Sequence, residues 1–289
     1  MDGSIPARLA RAARGAAAQA VARLAPSLER DLAASAPEAE AVAAHFGGRV
    51  LWEGAAPAFA EPLTVLAFVN RSGSNLLGGY LADLPGLKGF GEALNLSSIR
   101  AWADRSGARS FPDYLRFHAE RGGPGALGVK AVRAQLAMLL AWRMDRMFSG
   151  LRVVHIRRED ALAQAVSLLI AAETGRWTHR HRGAPGAAPA YDFGRLCRVM
   201  DDIGRANAGL ALTAEAAGLP RLVVGYEALV ADPLAELGRV ARWAGLPPPE
   251  ALPAPRVEKQ ESALSEEFRR RFLADLARRG GFAPGGEGG

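Results

Sequence analysis

The stretch Leu63-Thr64-Val65-Leu66-Ala67-Phe68-Val69-Asn70-Arg71-Ser72-Gly73-Ser74-Asn75-Leu76-Leu77-Gly78-Gly79-Tyr80-Leu81 decides how this chain folds. It opens on a short apolar run, as a strand covered on both faces requires. Small and polar residues follow, and then a segment with helical character. Leu151–Ile156 repeats this texture and leads through Arg157-Arg158-Glu159-Asp160 into a helix to about residue 173. Arg221–Tyr226 is a third strand, and Asp232-Pro233 starts a helix to about residue 244. Gly128–Val132 reads as another strand end, followed by a helix to about residue 148. Further helices are expected over 94–104, 111–120 and 193–217. Buried strands alternating with helices specify an α/β fold: a three-layer, P-loop-like arrangement with a mainly parallel central sheet flanked by helices. Ligands of such sheets sit at the carboxyl ends of the strands, so the loops just named are where function belongs.

Composition bounds the partners. The 289 residues are 49% hydrophobic and 23% charged, which excludes wholesale disorder. Lys plus Arg number 36 against 30 acidic residues, a net charge of +6. That balance points to an anionic partner: nucleic acid, an acidic membrane surface, or a ligand bearing phosphate or sulfate. The single cysteine, Cys197, excludes an internal disulfide framework and a cysteine-based zinc cage, and is expected to be buried in a helix. No run approaches the ~18 apolar residues of a spanning helix, and no signal-peptide pattern is visible, so a cytoplasmic setting is expected.

Residues 1–61 form an Ala-rich, helical N-terminal extension, interrupted by Pro26 and Pro37. Its Leu9, Val21, Leu24, Leu28 and Leu32 recur at near-helical spacing among arginines. This fits either a basic helix peripheral to an anionic membrane or a capping helix with solvated arginines. Residues 62–275 form the main domain, and 276–289 a Gly-rich tail.

In Arg71-Ser72-Gly73-Ser74-Asn75, at a strand-to-helix junction, small residues let the backbone curl around an oxyanion. Hydroxyls, successive N–H groups and the positive helix end can hold phosphate, and a guanidinium fork adds two donors. A plain strand-to-helix turn is the alternative. The G-x-x-x-x-G-K-[ST] spacing is absent, which disfavours nucleoside triphosphate hydrolysis.

Here the chain resembles bacterial sulfotransferases of the trehalose 2-sulfotransferase type, related to lipopolysaccharide and Nod-factor sulfotransferases. Their phosphosulfate loop reads R-S-G-S-T-L-L, similar to Arg71–Leu77. Their H-x-R-x-D-x-x-x-Q-A-V-S is similar to His155–Asp160 continuing to Gln164-Ala165-Val166-Ser167. A tryptophan after that helix resembles Trp177, and a late (R/K)-Q-x-x-x-x-S-x-x-(W/F) resembles Lys259-Gln260, Ser265 and Phe268. The resemblance spans about residues 63–275.

The resemblance implies transfer of a sulfuryl group from 3′-phosphoadenosine 5′-phosphosulfate (PAPS), leaving PAP, to a hydroxyl of a carbohydrate, glycolipid or other small acceptor, without a metal. Arg71, Ser72, Gly73, Ser74, Asn75 and Leu76 would hold the 5′-phosphosulfate. Arg158 and Ser167 would bind the 3′-phosphate, and Lys259 and Gln260 would cover the nucleotide. Glu92, 21 positions after Arg71, matches the family's proposed general base, although Ala93 and Leu94 replace two aromatics there. A helix-start carboxylate is the alternative reading of Glu92. Lys130 either neutralises the transferring group or is an exposed charge. The family's dimers put a homodimer among the expected partners; nucleic acid is not expected. His155 reads as strand packing, Tyr226-Glu227 as a structural turn, and His179 and His181 as part of a solvated basic loop. Against this stand a kinase-like nucleotide-binding protein and a non-catalytic basic protein binding membrane or nucleic acid.

Overall fold

A computed structural model describes residues 36–175, 177, 189–252 and 263–280. The N-terminal stripe through Leu32, His179 to Arg182, Lys259, Gln260 and the tail from 281 lie outside the described residues.

The first strand, β1 (Leu63–Ala67), is buried along its whole length. It lies in a five-stranded sheet of order β2-β3-β1-β4-β5, formed with β2 (Leu87–Gly89), β3 (Ala126–Ala131), β4 (Leu151–Arg157) and β5 (Arg221–Gly225). Every pairing is parallel, and the register sets Leu66 of β1 beside Lys130 and Val154, and Ala67 beside Ala131 and His155. All carboxyl ends therefore point one way. From β1 the chain turns toward β2, whereas from β4 it turns toward β5. The crevice between the ends of β1 and β4 is consequently the switch point where a ligand fits.

Strand alternation divides the core into two layers. Leu63, Val65 and Ala67, with Val129 and Val153, pack against α1 (Ala36–His45), α3 (Leu96–Ser106), α4 (Phe111–Glu120), α5 (Arg133–Ala141) and α6 (Met144–Met147). The alternate set, Leu66, Val154, Ile156 and Val224, packs against α2 (Ser74–Ala82), α9 (Tyr226–Ala231) and α10 (Pro233–Trp243). Three helices, α7 (Ala161–Thr174), α8 (Phe193–Ala216) and α11 (Ala263–Gly280), form a third apolar cluster beyond β4. Pro37 stands in the first turn of α1, where a proline is tolerated, rather than interrupting a helix; Val42 of α1, and Phe46 and Val50 after it, join the core of β1.

Several expectations need adjustment. The first strand stops at Ala67 rather than Val69, where the loop begins. The three-residue β2 was not expected at all. The helix after β3 is not continuous: Arg143, with φ of 63°, separates α5 from α6. Tyr226 starts a helix instead of ending the third strand. Strand β5 is an edge. Val223 keeps 38% exposure there, and Arg239 Nη2 donates to its carbonyl at 2.7 Å. Cys197 lies half-buried on α8. No helix among the described residues is long and apolar enough to cross a membrane.

Candidate functional site

The loop joining β1 to α2 takes its shape from two left-handed residues, Arg71 (φ 66°) and Gly73 (φ 92°). Such a φ is uncommon outside glycine and recurs at functional sites. Gly73 occupies the N-cap of α2 and no side chain caps that end. The first amides of the helix thus keep their positive character for a ligand. Ser72 is 1% exposed, and its hydroxyl has no hydrogen-bond partner among the described residues. Ser74 is also buried, and Leu76 packs into the apolar layer of α2, leaving its amide as its only polar offering.

Helix α7 braces this loop. Gln164, fully buried, donates to the Asn70 carbonyl at 2.9 Å, and Ser167 Oγ accepts from Arg71 Nε at 2.8 Å. Arg71 Nη1 also donates to the Trp177 carbonyl at 2.8 Å. Arg158, just beyond β4, lies 4.9 Å from the Tyr226 ring centroid and 4.0 Å from Glu227 Oε1, and its buried Nε makes no hydrogen bond among the described residues. Glu227 in turn accepts from the amides of Glu159 and Asp160, fixing the β4–α7 connection. Burial and then the Arg158 charge pull the Arg71 guanidinium below its ordinary pKa. Arg157, by contrast, is exposed at the strand end.

A second group sits across the end of β3. Lys130 is 4% exposed, so it is not a solvated charge. Its Nζ donates to Asn75 Oδ1 at 2.5 Å and to Glu92 Oε1 at 3.0 Å, and lies 4.7 Å from the Phe68 ring centroid. Burial lowers the Lys130 pKa, while Glu92 opposes the shift. Glu92 itself lies in a turn before α3 and keeps 51% side-chain exposure, so an acceptor can reach it. The turn is held by Lys130 N–H to the Gly91 carbonyl, by the Tyr114 hydroxyl to the Ala93 carbonyl at 2.6 Å, and by Phe90, left-handed at φ 59°. Its ring fills the space over Gly128, where an added Cβ would stand 2.3 Å away.

The structure therefore brings Arg71, Ser72, Gly73, Ser74, Asn75, Ser167 and Arg158 to one crevice, with Lys130 and Glu92 joined to it through Asn75. Ser167 is bonded to Arg71 rather than standing with Arg158 alone. Tyr226, read as part of a turn, does more: an added Cβ on Gly73 would meet its ring at 2.3 Å, so the ring packs on the loop as well as on Arg158. Its position immediately after a strand end was the available signal. Asn95 and Gln135, which bond behind Glu92, gave none. His155 is 1% exposed and bonds Asn207 at 3.0 Å, beneath α8. Among the described residues no group of His, Cys, Asp or Glu could hold a metal ion.

The matching family model, Stf0 sulphotransferase, covers residues 64–275, a span that holds both the loop and the lysine–carboxylate pair. The chain belongs to the Stf0 sulphotransferase family. Family membership makes sulfuryl transfer the reaction class, and the turn carrying Glu92 falls within the matched segment. No curated protein matches the chain. Among solved structures, a sulfotransferase from Alicyclobacillus acidocaldarius is 15% identical, covering 78% of this chain and 97% of its own, with a TM-score of 0.44. The sulfotransferase domain of the Synechococcus PCC 7002 olefin synthase is 15% identical, covering 81% and 98%, at 0.47. Mouse sulfotransferase SULT7A1 complexed with PAP is 10% identical, covering 80% and 68%, at 0.40.

Proposed function

We propose that this Stf0-family protein moves a sulfuryl group from PAPS to a hydroxyl of a carbohydrate, glycolipid or other small acceptor, in the manner of the trehalose 2-sulfotransferase type. One observation carries the reading: a single buried cation, Lys130 Nζ, spans the loop residue Asn75 and the carboxylate of Glu92. In this reading Lys130 sets the loop that would take the donor beside the carboxylate that would take the proton.

The residues present fit the donor. An orphaned buried hydroxyl at Ser72, an uncapped helix end and two neighbouring guanidiniums, Arg71 and Arg158, form an electropositive cradle suited to an anion's oxygens. Arg71, Ser72, Gly73, Ser74, Asn75 and the Leu76 amide would hold the 5′-phosphosulfate. Arg158 and Ser167 would take the 3′-phosphate, with Lys259 and Gln260, outside the described residues, completing the nucleotide's surround. When bound, PAPS supplies an activated sulfuryl group on a stable leaving phosphate.

This chain's own residues would do the rest. Glu92 accepts the proton of the acceptor hydroxyl as the oxygen bonds to sulfur. Arg71 and the α2 amides neutralise the charge gathering on the departing phosphate oxygen. Lys130 holds Glu92 in line and offsets charge at the transferring group. Positioning and electrostatics account for the catalysis.

PAP is expected to raise the melting temperature, whereas stabilisation by ATP with magnesium alone would overturn the assignment in favour of a kinase-like protein. Glu92→Gln is expected to lower kcat by about a hundredfold or more while leaving PAP affinity unchanged. An unaltered kcat would remove Glu92 as the base.

A further inference from the structure

Behind Glu92 runs a file of hydrogen bonds that its role as a base does not by itself require. Asn95 Nδ2 donates to Glu92 Oε2 at 2.9 Å, the oxygen that Lys130 does not hold. Asn95 Oδ1 accepts from Gln135 Nε2 at 3.1 Å. Gln135 is 4% exposed; its Nε2 also faces the Leu94 carbonyl at 3.3 Å and Glu38 Oε1 at 3.2 Å, and its Oε1 accepts the Val132 amide at 3.2 Å.

These partners settle which way each amide points. Acceptors alone surround one end of Gln135 and a backbone N–H meets the other, so its NH₂ must face Asn95. Asn95 is then obliged to turn its oxygen to Gln135 and its NH₂ to Glu92. With Lys130 on one oxygen and Asn95 on the other, the carboxylate plane is fixed, and each oxygen retains a lone pair for an incoming proton.

Asn95 pays for this locally. It stands at the N-cap of α3 with extended backbone, the place where an asparagine normally bonds an amide of the first turn, yet its side chain makes no capping bond. The hydrogen-bonding capacity is spent on Glu92 instead. The far end of the file rests on Glu38 of α1, which precedes the segment matched by the family model.

We propose that Asn95, oriented by Gln135, is a positioning residue that fixes the reactive rotamer of Glu92. The proposal rests on Glu92 being the base. Asn95→Asp tests it: the shape and the N-cap preference survive, but the donor to Glu92 is lost. PAP release from PAPS is followed with trehalose as acceptor, or with solvent water where trehalose is not turned over. The expected result is a kcat lowered about ten- to a hundredfold, with KM for PAPS, PAP affinity and melting temperature close to the parent values. Gln135→Leu is expected to act in the same direction.

A parental kcat in Asn95→Asp overturns the proposal. So does a loss of kcat matched by equal losses in PAP affinity and melting temperature, because that pattern is a folding defect. If Glu92→Gln turns over at the parental rate, the base assignment has failed, and Asn95 with it. A second readout is independent of any acceptor. The Asn95 side-chain NH₂ resonances, recognised by their absence in Asn95→Asp, are expected to shift in Glu92→Gln and in Gln135→Leu. Resonances unmoved by both changes overturn the proposal whatever the kinetics show.

Discussion

Gly73 shows how narrowly a single residue can be specified. Its φ of 92° is costly for any residue with a Cβ, and the Tyr226 ring occupies the volume that a Cβ would need. Gly73→Ala is therefore expected to destabilise the fold by about 2 kcal/mol and to abolish detectable PAP binding. Gly79, six residues on, is the control. It lies inside α2, and a Cβ there would meet nothing within 4 Å. Gly79→Ala is expected to stabilise by about 0.5–1 kcal/mol, read as a higher melting temperature with PAP binding unchanged. Lys130 differs in kind, because its residue type alone would place it in water; only the register beside Leu66 brings it under the loop.

At the scale of elements, the hand-over from β5 to α9 matters as much as the loop after β1. Tyr226, the first residue of α9, lays one ring against Gly73 and Arg158, coupling the far strand to the donor cradle. Tyr226→Ala is expected to weaken PAP affinity roughly two- to thirtyfold, the size of a cation–π contact of about 0.5–2 kcal/mol, with Tyr226→Phe near the parent by calorimetric titration. The β1–loop–α2 unit was legible because a continuous apolar run followed by Ser-Gly-Ser can be little else. Leu87-Lys88-Gly89 was not: three residues with a lysine in the middle carry no strand periodicity, and only pairing with β3 makes them one. The break at Arg143 had no proline or glycine to announce it. Arg71, Glu92 and Arg158 could be singled out by residue type and neighbours. Asn95 and Gln135 could not, since their meaning arises from contacts spanning 40 positions.

At the scale of the whole molecule, His155 is a buried ionisable group that ties stability to pH. His155 sits beneath α8, and Asn207, whose NH₂ donates to the Ile203 carbonyl, presents its oxygen to the ring. Burial, aided by Arg221 and Arg157 and opposed by Asn207, lowers the His155 pKa to about 4 from 6.5. Above about pH 6.5 neither state carries this proton. Between 6.5 and 4 the unfolded chain takes it up and the folded chain does not, so stability falls as pH falls, by roughly 3 kcal/mol in all. Melting temperatures measured from pH 7 to pH 4 should therefore converge between the parent and His155→Gln, because carboxylates contribute to both alike. A constant gap would contradict this.

The exposed strand β5 has a consequence of another sort. An edge strand presents a ready template to any other extended chain, and this one carries a half-exposed valine. Arg239 occupies the Val223 carbonyl and places a cation, itself anchored on Glu236, over the open row. One arginine of the basic excess thus occupies an edge carbonyl that another extended chain would otherwise pair with, and Arg239→Ala is expected to leave that carbonyl open.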